Sequence, residues 1–268
     1  MNTQTPTYNT IGIDYDSTRK ADGFLASEMY QFIKTDPNGI YLDVGCGTGN
    51  YTSTLNGMGL RFIGVDPSEA MLDKARIKNS SIEWKLGTAE HIQQDNESVD
   101  GVLVSLTIHH WKNLSKGFKE IDRVLKKNGK MVLFTTLPEQ TNNYWLKYYF
   151  PTMIDDSISV LPSMEKIKYA LKNTELEIVE QEPYFVKPDL EDHFLYCGKH
   201  DPTLYFREEI RNGISSFSLL ANQKEVESGL AILKADVESR KVKEVMRRYE
   251  NDLGDYLFIT CQKNEYER

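Results

Sequence analysis

Cysteine is scarce and unpatterned in this chain: Cys46, Cys197 and Cys261 are an odd set with no CxxC spacing. That argues against a disulfide framework or a structural zinc site and suits a reducing compartment. Long hydrophobic runs are missing as well. No apolar stretch is long enough to span a bilayer, and residues 1–10 are polar, without a basic segment leading into an apolar run. Together these absences predict a cytoplasmic protein with no membrane insertion. Basic side chains are the minority, 32 against 40 acidic ones, for a formal net charge of -8. Binding to duplex nucleic acid needs clustered Lys and Arg to displace phosphate counterions, so nucleic acid is not expected as a partner, although a local basic groove stays open. Internal repeats, charge blocks and low-complexity tracts are absent too.

What is present is a chain of 268 residues, 40% of them hydrophobic, long enough to bury a core without disulfides or metals. Up to about residue 136, short strand-like runs alternate with amphipathic segments, which predicts βαβ units and a parallel sheet. The candidate strands are 40–44, 61–65, 82–85, 101–105 and 131–135. Between the last two, Phe118, Ile121, Val124 and Leu125 form a helical stripe, and Asn128-Gly129 supplies a left-handed stop. Residues 137–163 crowd Tyr144, Trp145, Tyr148, Tyr149 and Phe150 together. A helix-like segment at 163–171 leads into a strand-like run at 176–186, and a last strand-like run covers 256–261, which makes seven strands. Between these last two strands, residues 187–255 carry helical stripes such as Val226, Leu230, Leu233 and Val237. A structureless loop of that length is implausible, so a helical cap is predicted.

The most informative stretch is Leu42-Asp43-Val44-Gly45-Cys46-Gly47-Thr48-Gly49-Asn50, a strand running through three alternate glycines into a helix beginning near Asn50. Taken alone, such a loop serves dinucleotide enzymes, phosphate binders and plain tight turns alike. Here the next strand ends at Asp66, the distance at which an acid reaches ribose hydroxyls in a nucleotide-binding βαβ unit. The spacing is GxGxG, not the GxGxxG of nicotinamide enzymes. An adenosine-type ligand is the expectation.

At these residues the chain resembles the class I S-adenosylmethionine-dependent methyltransferases, in the small-molecule type (methyltransferase type 11) that includes ubiquinone and menaquinone biosynthesis enzymes. The resemblance covers roughly residues 13–136. It rests on LDVGCGTGN, on GVDPSEAML, on Gly87-Thr88-Ala89-Glu90, on residues 100–111, and on Arg123-Val124-Leu125-Lys126-Lys127-Asn128-Gly129. It implies an α/β, Rossmann-like fold with a seven-stranded, mostly parallel sheet flanked by helices, and a helical cap inserted before the last strand. On that division, 1–186 and 256–268 form the cofactor-binding domain. Residues 187–255 form the cap over the substrate pocket, with 137–162 contributing.

The resemblance also implies roles. Gly45, Cys46, Gly47 and Gly49 form the loop under the methionine part of S-adenosylmethionine, Asp43 serves its amino group, and Asp66 accepts from both ribose hydroxyls. Pro67 and Met71 lie against the adenine, with Thr88 and Ala89 at its polar edge. Ser105 flanks the methionine moiety. Tyr15 and Arg19 match an entry segment that closes over the cofactor, where Arg19 would pair with its carboxylate; an ordinary solvated helix start is the alternative. Many relatives carry Asp where this chain has Thr88, a weaker acceptor, so Glu90 is the substitute candidate.

Further candidates come from the residues themselves. His109 and His110 follow the fourth strand, where an imidazole would be placed to take a proton from an acceptor; a structural or cofactor-lining role is the alternative. The aromatic group would either wall an apolar pocket or join cap to sheet. Arg207, Arg211 and Ser215-Ser216 are candidates for binding a substrate carboxylate. His193, Cys197 and His200 make a poor metal set, and no metal is expected. The implied activity is metal-independent methylation of a small molecule, with S-adenosylhomocysteine as the second product. A tRNA or protein methyltransferase and a non-catalytic cofactor-binding module are the alternatives.

Overall fold

The computed structural model describes residues 18–264. Among them, seven strands form one sheet: β1 (Ile40–Val44), β2 (Arg61–Asp66), β3 (Glu83–Leu86), β4 (Val99–Ser105), β5 (Leu125–Thr135), β6 (Leu176–Tyr184) and β7 (Tyr256–Lys263). Their order is β3-β2-β1-β4-β5-β7-β6. The first five strands run parallel, and β7 lies antiparallel between β5 and β6. The chain steps outward from β1 to β2 and β3, then returns to β4 on the other side of β1. That reversal opens a crevice at the carboxyl ends of β1 and β4, where ligands bind in open α/β sheets.

Helix α1 (Gly23–Ile33) precedes β1; α2 (Asn50–Gly57), α3 (Glu69–Lys78), α4 (Leu114–Val124), α5 (Pro138–Asn142), α6 (Pro151–Val160) and α7 (Met164–Leu171) lie between successive strands up to β6, while α8 (Glu208–Asn212), α9 (Gln223–Glu238) and α10 (Val242–Arg248) lie between β6 and β7. The side chains of Asp22, Ser68, Asn113, Ser163 and Asn222 cap α1, α3, α4, α7 and α9 by accepting from free backbone N–H groups. Strand alternation divides the core in two. Tyr41, Leu103, Val132, Phe134 and Phe258 pack with Leu25, Met29 and Ile33 of α1. Their sequence neighbours Leu42, Val102, Val104, Leu133 and Ile259 pack with Phe118, Ile121 and Val124 of α4. Burial of both faces explains why the strands read as near-continuous apolar runs.

The start of β5 departs from expectation. Leu125 belongs to the strand and not to the helical stripe, because α4 ends at Val124. Asn128 does take the left-handed conformation, with φ 63°, but it interrupts the strand where the pairing with β4 shifts register between Val99 and Gly101. The aromatic group joins the 137–162 region to the β6–β7 segment. Tyr144 and Tyr196 stack with centroids 3.8 Å apart, and the Tyr149 hydroxyl donates to Asp236 at 3.0 Å. At the start of α6, the Thr152 and Met153 N–H groups donate to Glu225 of α9 at 2.6 and 3.1 Å.

Candidate active site

A cavity of about 300 Å³ follows the carboxyl edge of the sheet, at the small end of ligand-binding pockets. Its wall includes Asp66 at the end of β2, Asp43 and the glycine loop at β1, Ser105 at β4, Thr135 at β5 and Tyr256 on β7. It therefore crosses the sheet from one side of the switch point to the other. Ser157, Val160 and Leu161 of the α6 region, Ile214–Ser216, Leu219 and Leu220 supply much of the opposite wall, together with Asp192, Phe194 and Leu195.

The loop glycines differ in what they permit. Gly45, Gly47 and Gly49 have φ of 80°, 55° and 72°, in the region that disfavours any Cβ. A Cβ on Gly45 would lie 2.2 Å from Thr107 Oγ1, and one on Gly49 would lie 2.3 Å from the Trp84 ring. Both are packed against protein. A Cβ on Gly47 would meet no protein atom within 4 Å, and Gly47 lines the cavity. This backbone is open to close approach by a ligand.

Asp66 shapes the loop. One carboxylate oxygen accepts from the Gly47 N–H and the other from the Ser68 N–H, both at 2.8 Å. Two oxygens offer about four acceptor positions, so each keeps capacity toward the cavity. Burial raises its pKa, against the lowering effect of these N–H groups. Asp43 accepts from the Thr52 hydroxyl at 2.6 Å. Burial pushes it up to about 7; the Thr52 hydrogen bond opposes that rise and the nearby Asp66 adds to it. Burial also lifts the Cys46 thiol well above its ordinary value, so it stays protonated.

Arg19 lines the cavity through an ion pair that the sequence did not foretell. Its Nε lies 2.5 Å from Asp192 Oδ1, and the Tyr51 hydroxyl donates to the other oxygen of Asp192 at 3.2 Å. His109 and His110 also reach the wall, with ring centroids 3.9 Å apart. Burial, then the neighbouring His110, lowers His109 to about 3. Burial lowers His110 to about 4. Both rings are neutral at pH 7 and weak as bases.

Of the candidates from the sequence, Arg19, Asp43, Gly45, Cys46, Gly47, Asp66, Pro67, Met71, Ser105, His109, His110, Ser215 and Ser216 come together on this wall. Gly49, Thr88, Ala89 and Glu90 are not brought to it. Thr88 bridges to His91, Ala89 is buried in the core, and the Glu90 carboxylate accepts from the Asn113 N–H at 3.0 Å. Tyr15 lies outside the described residues. The aromatic group does not wall the cavity. Arg207 pairs with Glu209 at 2.8 Å and Arg211 donates to the Tyr205 carbonyl at 2.6 Å, both away from it. Asp192, Tyr51 and Ser157 are wall residues that the sequence reading missed, since they follow no motif and arrive from separate segments. Among the described residues no three His, Cys, Asp or Glu side chains group to hold a metal ion.

Residues 42–133 match the family model of the methyltransferase domain. A candidate methyltransferase from an antibiotic biosynthesis pathway of Anabaena variabilis is 36% identical and superposes with a TM-score of 0.81, covering 91% of this chain and 98% of that one. The chain belongs to the class I S-adenosylmethionine-dependent methyltransferases. S-adenosylmethionine is the cofactor of this family of enzymes. The malonyl-[acyl-carrier protein] O-methyltransferase of Yersinia pestis is 31% identical over 125 residues, 47% of this chain and 46% of that protein. The tRNA (carboxymethyluridine(34)-5-O)-methyltransferase of Saccharomyces cerevisiae is 29% identical over 137 residues, 50% of this chain and 47% of its own length. The chain thus spans about half the length of these curated relatives. In this methyltransferase the family match runs from β1 through most of β5, whereas the wall residues 157–161 and 192–220 lie outside it. Among the described residues, no helix is long and apolar enough to cross a membrane.

Proposed function

We propose that the protein methylates a small-molecule acceptor, independently of metal, with S-adenosylmethionine as donor. The observation that carries this reading is the one cavity that runs from Asp66 and the open Gly47 backbone to an apolar wall made by Val160, Leu161, Ile214, Leu219 and Leu220. The residues fit the cofactor: Asp66 keeps acceptor positions for ribose hydroxyls, Pro67 and Met71 offer an apolar face for a planar ring, and Asp43 lines the loop where an amino group would lie. Gly45, Cys46 and Ser105 would flank the methionine part. Arg19, paired with Asp192, lines the same space.

Bound there, S-adenosylmethionine supplies a methyl group on a sulfonium sulfur, whose displacement needs no covalent enzyme intermediate. The chain's own task is alignment and exclusion of water, which can supply most of the acceleration. In this reading 1–186 with 256–268 binds the cofactor, and 187–255 with 137–162 caps the acceptor. His109 and His110 stand where a ring nitrogen can receive the acceptor's proton. Their lowered basicity makes that a modest contribution.

Incubation with methyl-labelled S-adenosylmethionine and an extract of the source cells tests this function. Label should appear in the low-molecular-weight fraction. Label confined to acid-precipitable RNA or protein would give the macromolecular alternative instead, and no transfer despite cofactor binding would leave a binding module.

A further inference from the structure

The charge pattern of the cavity restricts the acceptor more narrowly than the family does. Among the described wall residues Arg19 is the one Lys or Arg, and it is engaged with Asp192. Three carboxylates, Asp43, Asp66 and Asp192, line the same space. His109 and His110, lowered to about 3 and about 4, add no positive charge near neutral pH. Arg207 and Arg211 are occupied elsewhere. Residues 1–17 contain no Lys, Arg or His, so that stretch has no cationic side chain to contribute. Such a field favours a cationic sulfonium and opposes an anion.

The wall outside the family match is apolar with one polar point. Val160 and Leu161 end α6, and a π turn at Ser216–Leu220 brings Leu219 and Leu220 into the lining. Turns of this kind recur at functional sites. Ser157 and Ser216 are 4% and 6% exposed, line the cavity, and place their hydroxyl oxygens 2.8 Å apart. Ser157 also reaches the Met153 carbonyl at 2.7 Å, so its one proton is shared between Met153 and Ser216, and the pair keeps hydrogen-bonding capacity chiefly through Ser216 while carrying no charge.

Building on the methyltransferase reading, we propose that the acceptor is an uncharged, predominantly apolar molecule with a neutral polar group, such as a hydroxyl or carbonyl, addressed by Ser157 and Ser216. Carboxylates, phosphates and diphosphates are rejected, because among the described residues the one Lys or Arg on the wall is already paired with Asp192, and Asp43 and Asp66 add only acidic groups.

Calorimetry on the full chain saturated with S-adenosylhomocysteine tests this, using matched pairs: 1-naphthol against 1-naphthyl phosphate, and geraniol against geranyl phosphate. At least one neutral member should bind below millimolar, tenfold or more tighter than its phosphate. Leu219→Lys adds a cation at a position 39% exposed and should narrow or reverse that preference. Tighter binding of a phosphate by the unaltered protein, no neutral probe bound, or an unchanged preference in Leu219→Lys overturns the acceptor class while S-adenosylhomocysteine binding upholds the cofactor reading. Failure of the folded protein to bind S-adenosylhomocysteine removes both.

Discussion

Replacing Asp43 with Asn should stabilise the free protein at alkaline pH while weakening its hold on the cofactor. Asp43 is 3% exposed and close to Asp66, and burial pushes its pKa up to about 7. From about pH 4 upward the unfolded chain has released a proton that the folded protein still holds. The stability contributed by this group is therefore complete below about pH 4 and is lost as pH rises through about 7. A shift of that size corresponds to about 4 kcal/mol at most, and water in the adjoining cavity reduces it, so about 2–4 kcal/mol is expected. Asn keeps the shape and can accept from Thr52, but carries no charge. Its advantage should be absent near pH 4, grow to pH 7, then level off, giving roughly a 4–15 °C higher melting temperature at pH 8.5. With saturating S-adenosylhomocysteine the order should narrow or reverse, because loss of a charged acceptor for the amino group weakens binding roughly 10–150-fold. Circular-dichroism melts from pH 4 to 8.5, with and without ligand, decide the matter. A variant no more stable than the parent at pH 8.5, or one with undiminished ligand affinity, would refute the reasoning.

Two further outcomes follow from the same geometry. Gly47→Ala should cost about 1–2 kcal/mol of stability from its left-handed φ but abolish most cofactor affinity, whereas Gly45→Ala, with Thr107 in the way, should destabilise more; melting curves paired with calorimetry separate the two, and equal stability losses would contradict the assignment. His110→Ala should reduce turnover less than tenfold, and at saturating cofactor the parent should show no inflection between pH 6 and 7, because both rings are already neutral there; complete loss of turnover with binding intact would make His110 an essential base.

Much of the sheet was legible because buried parallel strands leave unbroken apolar runs, and because the glycine loop and Asp66 sit at a fixed spacing set by one βαβ unit. The start of β5 was not, since Leu125 continues the helical period by one position and only the paired register with β4 reveals the strand. Asp43 and Asp66 were visible as candidates, but their coupling through burial depends on packing that no local pattern encodes. Asp192, Tyr51 and Ser157 converge from three separate segments, so their meeting is a property of the tertiary fold alone. Thr88 and Glu90 show the reverse case: a motif in the right order that stays off the cavity wall, with the Thr88 backbone bridged to His91 and the Glu90 carboxylate accepting from the Asn113 N–H. The aromatic group was visible as a cluster, yet whether it faced the cavity or joined two segments depended on Tyr196 and Asp236, which lie far along the chain.

Calorimetric titration of the protein and of Asp66→Ala with S-adenosylhomocysteine, with NAD and ATP as controls, tests the central claim most directly. Micromolar or tighter binding by the parent, at least 100-fold weaker binding by the variant through loss of two charge-assisted hydrogen bonds worth about 1.5–3 kcal/mol each, and none with the controls is the expected result. A folded parent that ignores S-adenosylhomocysteine, or a variant that binds it as tightly, would contradict the account.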